Sequence, residues 1–206
     1  MEEVKDFWNT CGANLAHLKF TWEVTGLRKR LLDEHIFKRI DFKNKTVIDY
    51  GCGGGYITKY LCDEFGIKKS ACIDIAERSI YIAQKILRGY KNVDYHIAPV
   101  EFRQFEADIF LTISVIQHFP DEQFLIEFLK NINESGIKTV VLTIRYDKKT
   151  KFNGAYMDDN NDKCLACMTN NEYILKYMKN YNLIYFTEPQ EKSKYQFLIY
   201  EVKNEL

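Results

Sequence analysis

Val47-Ile48-Asp49-Tyr50-Gly51-Cys52-Gly53-Gly54-Gly55 is the stretch on which the reading of this chain turns. A short apolar run, Thr46-Val47-Ile48, ends in an acid, and glycines follow at positions 51, 53 and 55. The apolar run suits a strand of a parallel sheet, buried on both faces. The glycines suit a tight turn in which backbone must approach a ligand closely. Tyr56-Ile57-Thr58-Lys59-Tyr60-Leu61 then reads as the start of a helix. Strand, glycine turn and helix N-terminus together make a ligand-binding corner of an open α/β sheet.

The glycine spacing narrows the ligand. A dinucleotide turn wants G-x-G-x-x-G/A, and from Gly51 its last position falls on Tyr56. A second acid-tipped run, Ser70-Ala71-Cys72-Ile73-Asp74, follows, with a helical Glu77–Leu87 behind it. A carboxylate about 20 residues past the glycine turn, at the end of the next strand, can accept both ribose hydroxyls of a nucleoside. Asp is also a good helix cap, but spacing, strand end and glycine turn agree on the ribose role.

The rest of the chain continues the alternation. Val24 to Ile40 reads as a helix, with Val24, Leu27, Leu31, Phe37 and Ile40 near one face. Strands are expected at 46–50, 70–74, 93–97, 108–114, 138–145, 183–187 and 195–202, and helices at 55–65, 77–88, 120–132 and 171–180. Pro120 is expected at the first helical position, with Asp121 and Glu122 in the first turn. The core face of that helix is Phe124, Leu125, Phe128, Leu129 and Ile132. Strands alternating with helices make a parallel sheet. The last two strands are joined by too few residues for a crossover helix, so they are antiparallel neighbours.

The D-x-G-x-G-x-G pattern from Asp49, the acid at Asp74 and five β/α steps closed by a terminal hairpin resemble the class I S-adenosylmethionine (SAM) dependent methyltransferases. The resemblance covers roughly residues 40 to 206, and its specific motifs lie in 47–118. It implies an α/β, Rossmann-like, doubly wound seven-stranded sheet, mostly parallel with an antiparallel last strand. It also implies one domain over 1–206, with 1–40 as an N-terminal helical cover and 146–170 as a substrate lid. The cofactor implied is SAM, with S-adenosylhomocysteine as product. Asp49, Gly51, Cys52 and Gly53 would cradle its amino-acid half, Asp74 the ribose, and Ile75 would line the adenine side. Pro99 stands where many members carry Asp, leaving the Val100 backbone N–H to reach the ring. Ser114 fits the position whose backbone often meets the SAM amino group.

Val115-Ile116-Gln117-His118-Phe119-Pro120-Asp121 is similar to a stretch common in small-molecule members of that family. His118 would sit at the carboxyl edge of the sheet, where such sheets bind ligands. A neutral imidazole suits a general base near pH 7. The plainer reading is that His118 packs, or orients the loop before the helix.

Composition bounds the partners. The 206 residues carry 29 Lys plus Arg and 29 Asp plus Glu, so the net charge is zero. That removes the bulk electrostatic argument for nucleic acid or membrane surfaces. No run approaches the roughly 18 apolar residues of a membrane span, and Met1-Glu2-Glu3-Val4-Lys5-Asp6 shows no apolar leader. A cytoplasmic protein is expected. The six cysteines are then free thiols. Cys164 and Cys167 have C-x-x-C spacing, but no second pair completes a zinc site, and no metal is expected.

The acceptor side is read from Arg145, which ends a strand and leads the basic segment Arg145-Tyr146-Asp147-Lys148-Lys149-Thr150-Lys151. Arg holds phosphate or carboxylate bidentately. Tyr146 and, from the N-terminal aromatic group Phe7, Trp8, Phe20 and Trp22, Trp8 are the further substrate candidates. The expected function is methyl transfer from SAM to a hydroxyl of a small, polar, anionic metabolite such as a phosphorylated or nucleotide-linked sugar. The alternatives are N-methylation of a small amine and a non-catalytic SAM-binding partner subunit. A nucleic-acid or protein-amide enzyme would carry an N/D-P-P-Y-like turn where Ser114-Val115-Ile116-Gln117 stands. A nicotinamide-dependent reductase would carry Tyr-x-x-x-Lys late in the chain, and that spacing occurs only at Tyr81–Lys85.

Overall fold

The computed structural model describes residues 2–12, 27–157, 163–189 and 195–203. The strands are β1 (Thr46–Tyr50), β2 (Lys69–Asp74), β3 (Val93–Ile97), β4 (Ile109–Thr112), β5 (Thr139–Arg145), β6 (Lys151–Met157), β7 (Lys163–Met168), β8 (Tyr181–Phe186) and β9 (Tyr195–Val202). The helices are α1 (Glu2–Phe7), α2 (Leu27–Leu32), α3 (Tyr56–Phe65), α4 (Glu77–Ile86), α5 (Glu122–Asn133) and α6 (Asn171–Leu175). Seven strands pair in the order β3-β2-β1-β4-β5-β9-β8, with β6 and β7 as a separate antiparallel pair. The seven-stranded sheet is mostly parallel, and β9 runs antiparallel to β5 and to β8. Among the described residues no helix is long and apolar enough to cross a membrane.

Contacts divide the chain into two compact units, residues 1–100 with 105–111, and 101–104 with 112–206. In the first, Val47, Ile48, Cys72 and Ile73 are fully buried in strands covered on both faces. Helices α3 and α4 close over them through Leu61, Ile80, Ala83 and Leu87. An aromatic cluster of Phe37, Phe42, Tyr60 and Phe65 fills the other flank of α3. Gly55, φ 76°, caps the start of α3 and Gly66, φ 61°, its end.

The second unit packs α5 through Leu125, Phe128, Leu129 and Ile132, the face expected from its periodicity, with Phe124 half-buried. Val140, Val141, Leu142 and Ile144 of β5 and Leu198, Ile199 and Tyr200 of β9 complete that core.

Four local expectations change. The helix α5 starts at Glu122, because the Asp121 carboxylate accepts the Phe124 N–H at 2.8 Å and takes the cap. Pro120 therefore precedes the cap and is not the first helical residue. The helix expected over 171–180 stops at Leu175, since the Asn180 N–H is taken by Asn133 Oδ1 at 2.8 Å and the chain turns into β8. The helix expected over 24–40 widens into a π turn at Asp33–Phe37, which rotates its buried face to Leu32, Ile36 and Phe37; Val24 lies outside the described residues. Lys151–Met157 and Lys163–Met168, expected within a loop, form the β6–β7 pair, with a bulge between Phe152 and Ala155.

Gly55 is a packing glycine. A Cβ there would stand 2.6 Å from Leu87 Cδ1 and 3.3 Å from the Ala83 Cβ, in a left-handed backbone conformation that side chains disfavour. Gly55→Ala is expected to lower stability by about 1–3 kcal/mol. Urea unfolding at neutral pH reads this; an unchanged midpoint means that Leu87 moves aside freely.

Candidate functional site

The first unit carries the glycine corner. Strand β1 ends at Tyr50, and Gly51 (φ 73°) and Gly53 (φ 53°) both take left-handed conformations in the turn that follows. The end of β2 holds this turn: the Ile73 carbonyl accepts the Gly51 N–H at 2.7 Å and the Cys52 N–H at 3.1 Å. Asp74 holds it too, for Asp74 Oδ2 accepts the Gly53 N–H at 2.9 Å and Oδ1 accepts the Ala76 N–H at 2.9 Å. Its main-chain carbonyl accepts the Ala98 N–H at 2.9 Å, fixing the exit of β3. Ile75 is half-buried at the bend between Asp74 and α4, and Val100 is half-buried after β3.

Asp49 is 1% exposed and lies beneath the turn. Thr58 of α3 donates its hydroxyl to Asp49 Oδ2 at 2.8 Å, and Ser70 Oγ and Cys72 Sγ each lie 3.3 Å from that hydroxyl oxygen. Burial pushes the Asp49 carboxyl up to about 6, with the Asp74 charge acting in the same direction and Thr58 against it. Burial likewise raises Asp74, against the pull of its backbone donors. No lysine or arginine among the described residues pairs with either carboxylate. The Cys52 thiol is held well above its usual range by its hydrogen bond to Cys72 and by burial, so it stays protonated.

The N-terminal segment docks beside this corner. Lys5 Nζ pairs with Glu77 Oε1 at 2.7 Å, and Asn9 Oδ1 accepts the Arg78 N–H at 3.2 Å, both on the first turn of α4. Trp8 rides on that segment, its ring 5.2 Å from Phe7. The structure therefore places Trp8 on a segment held to the first turn of α4. Phe20 and Trp22 lie outside the described residues.

The second unit carries the other candidates. Ser114 follows β4 in a left-handed conformation, φ 60°, and donates its N–H to Thr143 Oγ1 at 2.5 Å. A non-glycine residue in that region stores strain on the order of 1–3 kcal/mol, which is common at ligand sites. His118 ends a 3₁₀ turn, Ile116–His118, against which β7 packs. Gln117 in that turn is buried and donates through Nε2 to the Tyr195 hydroxyl at 3.0 Å. Arg145 ends β5 with its guanidinium carbon 5.5 Å from the Tyr195 ring centroid. Tyr146 bridges to Thr169 just beyond β7.

Thr58, Thr143, Gln117 and Tyr195 are the residues that sequence reasoning missed. Gln117 stood next to His118, but Tyr195 meets Arg145 only through the β5–β9 register. Cys167 is a buried free thiol pushed up to about 12 by burial, and the Cys164 side chain lies outside the described residues. Among the described residues no group of three or more His, Cys, Asp or Glu is placed to hold a metal.

Residues 41–198 match the model of a family described as "Methyltransferase domain". The chain is 26% identical over 149 residues to the ubiquinone biosynthesis O-methyltransferase of Coxiella burnetii, which covers 70% of this chain and 59% of that enzyme. It is 33% identical over 82 residues to ribosomal RNA small subunit methyltransferase A of Mesomycoplasma hyopneumoniae, covering 38% of this chain and 31% of the relative. The chain thus spans less than two thirds of these curated relatives. Among solved structures, the magnesium protoporphyrin IX methyltransferase of Synechocystis PCC 6803 with bound SAH superposes with a TM-score of 0.68 at 14% identity, over 98% of this chain and 99% of that one. The DhpI-SAM-HEP complex does so with a TM-score of 0.68 at 12% identity, over 97% of each chain.

The raised Asp49 carboxyl has a consequence for stability. Between about pH 4 and pH 6 the folded protein keeps a proton that the unfolded chain releases. Its stabilising effect is full below about pH 4 and is lost as pH rises through 6. The stability of the native protein minus that of Asp49→Asn should therefore fall across this window, by on the order of 3 kcal/mol, and stay level above pH 7. Thermal unfolding of both proteins from pH 4 to 8 reads this, and parallel curves overturn it.

Proposed function

The chain belongs to the class I SAM-dependent methyltransferases, and on that premise we propose that it moves the methyl group of SAM to a hydroxyl of a small, polar, anionic metabolite. The carrying observation is the pair of buried carboxylates, Asp49 and Asp74, beside a left-handed glycine turn with no lysine or arginine paired to them among the described residues. Such a set of acceptors suits a ligand that brings hydroxyls and positive charge. When bound, SAM supplies a methyl group on a positively charged sulfur, ready for one in-line displacement.

Each residue then has a task. Asp74 accepts the ribose hydroxyls, its carboxylate aimed by the N–H groups of Gly53 and Ala76. Gly51, Cys52 and Gly53 present backbone to the amino-acid half, and Asp49, locked by Thr58, supports that backbone and supplies negative charge below it. Ile75 and Val100 flank the adenine, and Ser114 offers backbone to the amino group. His118 takes the acceptor's hydroxyl proton, and Arg145, with Tyr146, holds its anionic group. Trp8 screens the cofactor corner. The ubiquinone-pathway relative matches over much more of this chain than the ribosomal RNA relative, which supports a small acceptor. No metal enters this scheme.

Two measurements test it. Asp74→Ala should weaken SAM about ten- to a hundredfold by calorimetry, the value of lost hydrogen bonds to a charged group; undiminished affinity removes the ribose assignment. On a panel of phosphorylated and nucleotide-linked sugars, His118→Ala should lower turnover roughly 10²- to 10⁴-fold with SAM affinity near native. Arg145→Ala should raise KM more for charged than for neutral acceptors. Full turnover in His118→Ala would favour an amine acceptor instead.

A further inference from the structure

We propose that Tyr195 is a positioning residue that ties the turn carrying His118 to the guanidinium of Arg145, so that one side chain sets both the base and the anion contact. This rests on the reading of His118 and Arg145 given above.

Tyr195 opens β9 and faces Arg145 directly across the β5–β9 pair. Its ring lies under the Arg145 guanidinium, 5.5 Å from centroid to carbon, within the range of cation–π attraction. Its hydroxyl accepts from Gln117 Nε2 at 3.0 Å. Gln117 is 1% exposed and Tyr195 half-buried, so the bond is partly shielded from water, which strengthens it. Gln117 directly precedes His118, and the turn around them is closed by His118 N–H to the Val115 carbonyl at 2.8 Å and Phe119 N–H to the Ile116 carbonyl at 3.1 Å. So short a turn has little rigidity of its own, and a tether on its middle residue sets the direction in which His118 leaves it. Ring and hydroxyl thus have separate jobs. The ring steadies Arg145, and the hydroxyl steadies the His118 turn through Gln117.

The two jobs separate in variants. Tyr195→Phe keeps the ring and loses the hydroxyl, Tyr195→Leu loses both, and Gln117→Leu releases the turn alone. Inorganic phosphate serves as the anion probe, its affinity measured by NMR titration without cofactor, while the His118 ring-proton chemical shift reports the turn. Phosphate affinity should stay within about twofold of native in Tyr195→Phe and Gln117→Leu and fall roughly two- to thirtyfold in Tyr195→Leu. The His118 resonance should move in Tyr195→Phe and Gln117→Leu and stay in place in Arg145→Ala. A native His118 resonance in Tyr195→Phe overturns the tether. Native phosphate affinity in Tyr195→Leu overturns the positioning of Arg145. Native phosphate affinity in Arg145→Ala, or no phosphate binding by the native protein, sinks the anion reading instead, and the histidine resonance then decides the tether by itself.

Discussion

The carbonyl of Ile73 accepts two N–H groups at once, those of Gly51 and Cys52, and the next residue's carboxylate accepts that of Gly53. These bonds dictate the path of the glycine turn. A chain leaving β1 could take many paths, and the last two residues of β2 select one. Only residues that tolerate a left-handed backbone can follow it at positions 51 and 53. The same bonds work in reverse. The donors that hold the turn also stop the Asp74 carboxylate from rotating, so its remaining lone pairs point in a fixed direction before any ligand arrives. Pre-organisation of the acid and conformation of the turn are one set of interactions.

Beneath that turn the fold holds two carboxylates out of water; burial makes both harder to ionise, and the Asp74 charge adds to the effect on Asp49. Hydrogen bonds from Thr58, Gly53 and Ala76 offset part of the cost. The remainder is a tension that burial leaves at this corner in the folded state. Thr58 is the understated member of the arrangement. It belongs to α3, so the Asp49–Thr58 bond joins the strand before the turn to the helix after it.

Most of the architecture was legible because it is written in local signals. The acid-tipped runs at 46–50 and 69–74 are strands with their acids where the spacing put them, and the short connection before Tyr195 does reverse the last strand. The errors lie where a partner distant in sequence decides. Asn133 ends α6 early through Asn180, and Asp121 takes the cap one residue beyond Pro120, which the sequence places at the first helical position. The β6–β7 pair was missed because a bulge breaks its alternation at Phe152 and Ala155. The candidate site divides the same way. The glycine turn and Asp74 can be read from spacing, whereas Gln117 and Tyr195 lie far apart in sequence, and only the folded chain brings them together.

The β6–β7 pair departs from and returns to almost one point. The Thr169 N–H binds the Arg145 carbonyl at 2.9 Å, the Asp147 N–H binds the Thr169 carbonyl at 3.1 Å, and the Thr150 and Thr169 hydroxyls meet at 2.9 Å. A segment whose ends are stapled this way closes its own loop. Its length then adds only slowly to the entropy of closure. The ribbon is a cassette: a lineage can lengthen, trim or replace it while β5 and α6 keep their frame, without the sheet being rebuilt.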